Sequence, residues 1–372
     1  VNNILVLNAG SESEKIAVYT SENKKLKLVH RGQARIATKS PENRQDVIAD
    51  LISKSPIKAE QLSHVGHRIV HGGSRQQSML ANQKVLDELS ELNELAPLHN
   101  PPAIAGVEAS LKLFPKAKQI LVFDTAFHST IDQAHYLYPL PLEWQKFAIR
   151  KYGYHGISHQ FCSQAVAARL NKDIADLNMI SCHLGGGSSV CAIASGKSID
   201  ISMGFSPLDG VMMGTRCGAI DPAIIIYLLE NNKLTLEEIG SALHTKSGLF
   251  GVSGLSSDMQ KIEQAMAEGN QRAQLAHQMY CLSTAKAIAA MFTNFTRLDA
   301  IAFTGGIGYH DQQTRSAILP PDNLLNLKID SVANRQPSTD GLISSPKSPI
   351  KIFAIEANEE LIIANECLAY SD

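Results

Sequence analysis

The sequence predicts an α/β protein made of two similar halves, each opening on three consecutive strands and continuing with alternating helices and strands. Three observations predict it. Ile4-Leu5-Val6-Leu7 reads as a buried strand, Asn8–Lys15 as a polar turn, Ile16-Ala17-Val18-Tyr19 as the returning strand, and a Ser-Glu-Asn-Lys turn leads into Leu26–His30. About 175 residues later the pattern recurs as Met179–Cys182, the turn His183-Leu184-Gly185-Gly186-Gly187-Ser188-Ser189, Val190–Ile193, a Ser-Gly-Lys turn and Ile199–Ser202. A second echo sets Ile120–Phe123, running into Asp124-Thr125, beside Ala300–Phe303, running into Thr304-Gly305-Gly306. A cleft between the halves is the expected ligand site.

The helices carry their own signals. Asn100 is read as the cap of a helix opened by Pro101 and Pro102, with Ile104, Val107, Leu111 and Phe114 on one face. Asp221-Pro222 opens Ala223–Glu230 in the same way, residues 258–293 are helical and rich in Ala, Gln and Met, and Asn358-Glu359-Glu360 starts the last helix. Residues 309–350 have weak periodicity and are read as the least structured stretch. The division expected is 1–148 and 149–356, with 357–372 packing back on the first half.

Length and composition exclude several classes. A chain of 372 residues suggests two or three domains at a prior of roughly 150 residues each. Lys plus Arg is 34 and Asp plus Glu 36, a net charge of −2 that argues against a nucleic-acid partner. A hydrophobic fraction of 44% supplies enough core to exclude intrinsic disorder. The longest apolar stretch, Ala223–Leu229, is too short for a membrane span. Val-Asn-Asn-Ile-Leu has no basic region of a secretory signal, and the six Cys form no CxxC pair, so a cytoplasmic protein with reduced thiols is expected.

Three glycine turns stand at strand ends: Gly10 with Ser11 and Ser13, Gly185–Gly187 with Ser188 and Ser189, and Gly305-Gly306-Ile307-Gly308. Any one of them is explained as a tight turn, but three in a duplicated pattern point to backbone N–H groups gathered around the phosphates of a nucleotide. A P-loop is excluded, because Cys191 stands where Gly196-Lys197-Ser198 would need the motif's first glycine. No GxGxxG follows a strand, and the HRD and DFG motifs of protein kinases are absent.

Arg68 and Arg216 each lie among glycines, where a long cation reaches a ligand without crowding; each alone also reads as a surface arginine. Asp124 ends an apolar strand, where a carboxylate needs a cation or caps the next loop. Glu359 and Glu360 begin a helix, where the dipole alone accounts for them. His67 with His71, and His155 with His159, are spaced by four but lack a third metal ligand.

At these residues the chain resembles the acetate kinase family of short-chain carboxylate kinases. The matching motifs run nearly end to end: NAGSESEK at 8–15, VGHRIVHGG at 65–73, LAPLHNP at 95–101, FDTAFH at 123–128, YGYHGISH at 152–159 and HLGGGSS at 183–189. SMGFSPLDGVMMGTRCGAIDP at 202–222, SGLFGVSGLSSD at 247–258, FTGGIG at 303–308 and NEEL at 358–361 complete them. The resemblance implies a duplicated ribonuclease H-like fold of the actin and sugar-kinase type, a homodimer, and transfer of the ATP γ-phosphate to acetate or propionate. Mg²⁺, or Mn²⁺, is the implied ion, held by Asn8 and Glu359. Arg68 and Arg216 would bind the carboxylate and the phosphoryl group, with His155 beside them and Asp124 orienting the set. Val70, Leu98, Tyr154 and Pro207 would wall the alkyl pocket. His183, Gly185, Gly186 and Gly187 would face phosphates, and Asp258, Met259, Gln260, Gly306, Ile307 and His310 the rest of the nucleotide.

Departures concentrate at the nucleotide. HLGGG replaces the usual HLGNG, so Gly186 lacks an amide; Gln260 stands where Arg is usual, and Tyr309 and His310 where Glu-Asn is usual. Ala219 replaces a common Asp, Tyr154 a common Phe, and Glu12 a Ser. An active kinase with altered nucleotide preference or affinity is expected. The alternatives are a catalytically silent nucleotide-binding protein of the same fold and a sugar kinase.

Overall fold

In the computed structural model, which describes residues 2–10, 13–36, 41–97 and 99–371, the first apolar run becomes β1 (Asn2–Ala9), paired antiparallel with β2 (Ser13–Glu22), and β2 pairs with β3 (Lys25–Arg35). Asn23 and Lys24 both take left-handed φ (50° and 61°), the two-residue turn whose twist matches a hairpin. β4 (His64–Ile69), β5 (Met79–Leu80) and β6 (Lys118–Phe123) complete a six-stranded sheet of order β3-β2-β1-β4-β6-β5, with β1, β4 and β6 parallel.

The second sheet repeats the plan. β7 (Asn178–Leu184), β8 (Ser188–Ala194) and β9 (Lys197–Ile201) form the antiparallel part, and β10 (Ala300–Thr304) and β11 (Lys351–Ala354) join β7 in parallel, giving β11-β10-β7-β8-β9. Strand for strand, β3-β2-β1-β4-β6 and β9-β8-β7-β10-β11 are one topology used twice. This duplication corrects one sequence expectation. β10 occupies the place of β4, and the counterpart of β6 (with Ile120–Phe123) is β11. A buried apolar run ending at a turn describes every parallel strand alike, so local pattern does not number the strands.

Contacts divide the chain into two compact units, 1–129 with 154–157 and 358–372, and 130–153 with 158–357. In the first, Leu5, Leu7, Val18, Ile48 and Val65 form one buried cluster and Ile69, Leu89, Val107 and Phe123 a second. In the second, Ile180, Cys182, Val190, Ile301 and Phe303 pack against the helix Gln271–Phe292 through Tyr280, Ile288 and Met291. No helix among the described residues is long and apolar enough to cross a membrane.

Local details depart from the sequence reading. His99, not Asn100, stands at the N-cap position of the helix Asn100–Leu113, without a side-chain cap bond; the Asn100 carboxamide is fully buried and instead bonds both the N–H (3.0 Å) and the carbonyl (2.9 Å) of His71. Asn358 begins the last helix without a side-chain cap and accepts from Tyr19 and Arg31. The stretch 309–350 contains the helices Gln312–Ile318 and Ser331–Arg335, held by Arg315, which donates to the carbonyls of Gly308, Tyr309 and Asn334 and to the Asn334 side chain.

Candidate active site

In the first unit, the parallel pairing of β4 with β6 sets Arg68 opposite Val122, two residues short of Asp124. The carboxylate of Asp124 is 1% exposed and accepts from Arg68 at 2.8 and 3.3 Å, while its backbone N–H bonds Ile69 O. Glu359, at the start of the helix Glu359–Leu368, approaches the same guanidinium at 3.2 Å. Burial opposes the charge of Arg68, but Asp124 and then Glu359 outweigh it, so the guanidinium is held charged and fixed in orientation. Gly66 serves packing, contrary to the sequence reading: a Cβ there would lie 2.5 Å from Ile363 and 2.7 Å from Cys367 on that final helix. Gly156 is equally constrained, since its Cβ would fall 2.0 Å from the carbonyl of Asp124. His155, just before it, has a left-handed φ of 59°.

Tyr154 is buried, edge-on to His71 with ring centroids 5.7 Å apart, and its carbonyl bonds His128 Nε2 at 3.0 Å. Val70 is half-buried just beyond β4. Leu98, like Ser11 and Glu12, lies outside the described residues. Burial pushes His67 and His71 down to about 4, so both are neutral; His67 Nε2 bonds Gln119. Among the described residues no group of three or more His, Cys, Asp or Glu is placed to hold a metal ion. Asn8 and Glu359 offer only oxygen donors, and too few to enclose an ion. That set fits a hard cation that keeps water and phosphate oxygens in its shell.

In the second unit the two glycine turns lie side by side. The position a Cβ on Gly185 would take is 3.9 Å from the N atom of Gly306 and 4.0 Å from His183 Nε2. His183 Nδ1 bonds Ser158 Oγ at 2.8 Å, which orients the ring. Gly305 requires its glycine: φ is 78° and a Cβ would meet Leu184 O at 2.6 Å. Gly186 and Gly306 are exposed, with nothing within 4 Å of an added Cβ, and Gly187 and Ile307 are half-buried. The N–H of Gly214 bonds Gly186 O (3.3 Å), and a Cβ on Gly214 would lie 3.1 Å from Ser257 O, so the Arg216 loop, the first glycine turn and the 257–258 segment adjoin.

Asp258 caps the helix Met259–Ala267 by accepting from the N–H of Gln260 at 3.0 Å, and Gln260 is exposed. Met259 is 4% exposed and packs into the core of the second sheet, so its side chain is structural. Exposed His310 stands edge-on to Tyr309 at 4.8 Å. Arg216 donates to the carbonyl of buried Pro207 at 2.7 Å. Among the described residues no carboxylate lies within ion-pair distance of Arg216, and burial lowers its guanidinium to about 10.

Sequence reasoning missed Asn100 and Ser158. Both act on a histidine distant in sequence, and nothing local marks them.

Fold and site define a class first: a duplicated α/β protein with a carboxylate-held arginine in one unit and two adjoining glycine turns in the other. The acetokinase family model matches residues 23–365. Acetate kinases from Clostridium botulinum (strain Hall) and Nostoc punctiforme are each 40% identical, covering 98% of this chain and 98% of their own. A propionate kinase from Francisella tularensis superposes with a TM-score of 0.90 at 37% identity, over 99% of this chain and all of its own. The acetate kinase of Porphyromonas gingivalis gives 0.88 at 32% over the whole of both chains. The chain belongs to the acetokinase family, and membership makes it a phosphotransferase with a carboxyl group as acceptor.

Proposed function

We propose that this enzyme transfers the γ-phosphoryl group of ATP, reversibly, to acetate or propionate, giving an acyl phosphate and ADP. The observation that carries the reading is Arg216, a partly buried guanidinium with no carboxylate partner among the described residues. Such a cation calls for an anionic ligand, and a phosphoryl group in flight is one. Arg68, held in one orientation by Asp124 and Glu359, takes the substrate carboxylate, with His155 beside it. A carboxylate is ionised at neutral pH, so its oxygen attacks phosphorus without a general base. The protein's task is to align donor and acceptor and to meet charge on the transferring oxygens.

Val70, Tyr154 and Pro207 are assigned to the alkyl end of the acid. One methylene in such a pocket is worth only about 1–3 kcal/mol, so acetate and propionate both qualify. His183 and the turn at Gly185–Gly187 take the phosphates, and Asp258, Gln260, Gly306, Ile307 and His310 the rest of the nucleotide. Asn8 and Glu359 would hold Mg²⁺, which supplies charge neutralisation on the phosphates when bound.

A homodimer belongs to the same reading. The helix Ala223–Glu230 has no buried residue, and Ile224, Ile226, Tyr227 and Leu229 are all exposed on it. A cytoplasmic setting accords with six free cysteines. The test is hydroxylamine trapping of acyl phosphate from ATP with acetate, propionate and butyrate, beside ADP release with one sugar. Acyl hydroxamate with acetate or propionate is expected; none with any acid overturns the reading and leaves the silent nucleotide binder, or a sugar kinase where the sugar drives ADP release.

A further inference from the structure

Arg216 hangs from one carbonyl, that of Pro207, and Pro207 lies in a stretch without regular secondary structure between β9 and the helix Ala223–Glu230. The turn around that carbonyl is closed by bonds from the N–H groups of Leu208 and Asp209 to Ser206, and one hydroxyl fastens it at both ends. Tyr138 Oη accepts from the N–H of Phe205 at 2.8 Å and donates to Asp209 Oδ2 at 3.2 Å, so it ties the chain two residues before Pro207 to the residue two after it. The other Asp209 oxygen accepts from the N–H of Gly210 at 2.7 Å, and the N–H of Ala219 bonds Gly210 O, returning the tether to the Arg216 side of the loop. Gly204 makes room for this, because a Cβ there would lie 2.0 Å from Tyr138 Oη and 2.2 Å from Asp209 Oδ2.

We propose that Tyr138 is a positioning residue for phosphoryl transfer: its hydroxyl staples Phe205 to Asp209 and thereby sets the Pro207 carbonyl that aims Arg216. The inference rests on the assignment of Arg216 to the transferring phosphoryl group. Burial, and Asp209 next, raise the phenol above its ordinary value, so it stays a donor throughout the working range. Without the hydroxyl, the Phe205 N–H and the Asp209 carboxylate each lose this bond, and the turn that presents Pro207 keeps its internal bonds to Ser206 but loses the tie between its ends. Arg216 then keeps its charge and loses its aim, which lowers transfer while leaving nucleotide binding in place.

The experiment is a double-mutant cycle on the full-length enzyme with Tyr138→Phe, Arg216→Ala and both together, reading kcat and the KM for acetate and for ATP. The expected result is a fall of about tenfold in kcat for Y138F, ATP KM within about twofold, and no further loss when Y138F is added to R216A. Wild-type kcat in Y138F, or the same tenfold loss in the R216A background, overturns the tether. Full activity in R216A overturns the underlying assignment and is distinguishable from either. Where Y138F melts well below wild type, Asp209→Asn tests the staple with the phenol ring in place: a kcat fall that vanishes in R216A is expected, and unchanged kcat overturns the proposal.

Discussion

Asp124→Asn separates charge from shape at the Arg68 clamp. The native carboxylate is 1% exposed and gives Arg68 two bonds, at 2.8 and 3.3 Å, while Glu359 adds a third contact at 3.2 Å. Asn fills the same volume but offers one acceptor, so one charge-assisted bond and the countercharge disappear together. A bond to a charged group is worth about 1.5–3 kcal/mol, and at about 1.36 kcal/mol per decade the expected loss in kcat is about 10- to 150-fold. Folding should lose less than the 3–5 kcal/mol or so typical of a broken buried pair, because Glu359 still partners the 17%-exposed guanidinium. The assay is hydroxamate formation at saturating ATP with varied acetate, beside a thermal melt. If D124N keeps kcat within about twofold of wild type while Arg68→Ala is inactive, Asp124 does not orient Arg68 and the clamp argument fails.

Three further predictions concern other parts of the molecule. Gly186→Asn adds a carboxamide where a Cβ meets nothing within 4 Å, so the fold should be untouched and the ATP KM should drop several-fold; an unchanged or higher KM shows that Gly186 does not face phosphate. Glu263 Oε1 and Asp311 Oδ2 are buried, and burial, then a hydrogen bond between the two side chains, raises the Glu263 carboxyl from 4.5 to about 7, so the pair shares a proton. A carboxyl raised on folding binds its proton more tightly in the native state, so stability falls as pH rises from 4.5 through about 7; Glu263→Gln should flatten that fall in melting temperature, and an identical pH profile refutes the shared proton. Ile226→Lys places a charge amid the exposed apolar residues of the helix Ala223–Glu230 and should convert a dimer into monomers by sedimentation velocity at micromolar concentration; a dimer that persists moves the interface elsewhere.

Much of the scaffold was legible along the chain because its signals are local. Apolar runs broken by turns marked β1 to β3 and β7 to β9 as hairpins, and their recurrence marked the duplication. Pairings between distant strands carry no such signal, which is why β10 was matched to the wrong strand of the first sheet. Glycine misled in a similar way. Gly66 looked like space around Arg68 and is space for the helix Glu359–Leu368, nearly three hundred residues on.

In the sequence, two arginines among glycines and three glycine turns pointed only to an anionic, phosphate-bearing ligand, and the class of chemistry came from motifs that match the carboxylate kinases from end to end. The state of each group was decided only by the fold. Arg68 and Arg216 look alike in sequence, yet parallel pairing of β4 with β6 delivers Asp124 to the first, while the second hangs from Pro207 with no carboxylate at hand among the described residues. Charge, pKa and aim depend on neighbours within about 4 Å, and those neighbours lie from nine to nearly three hundred residues away in the chain.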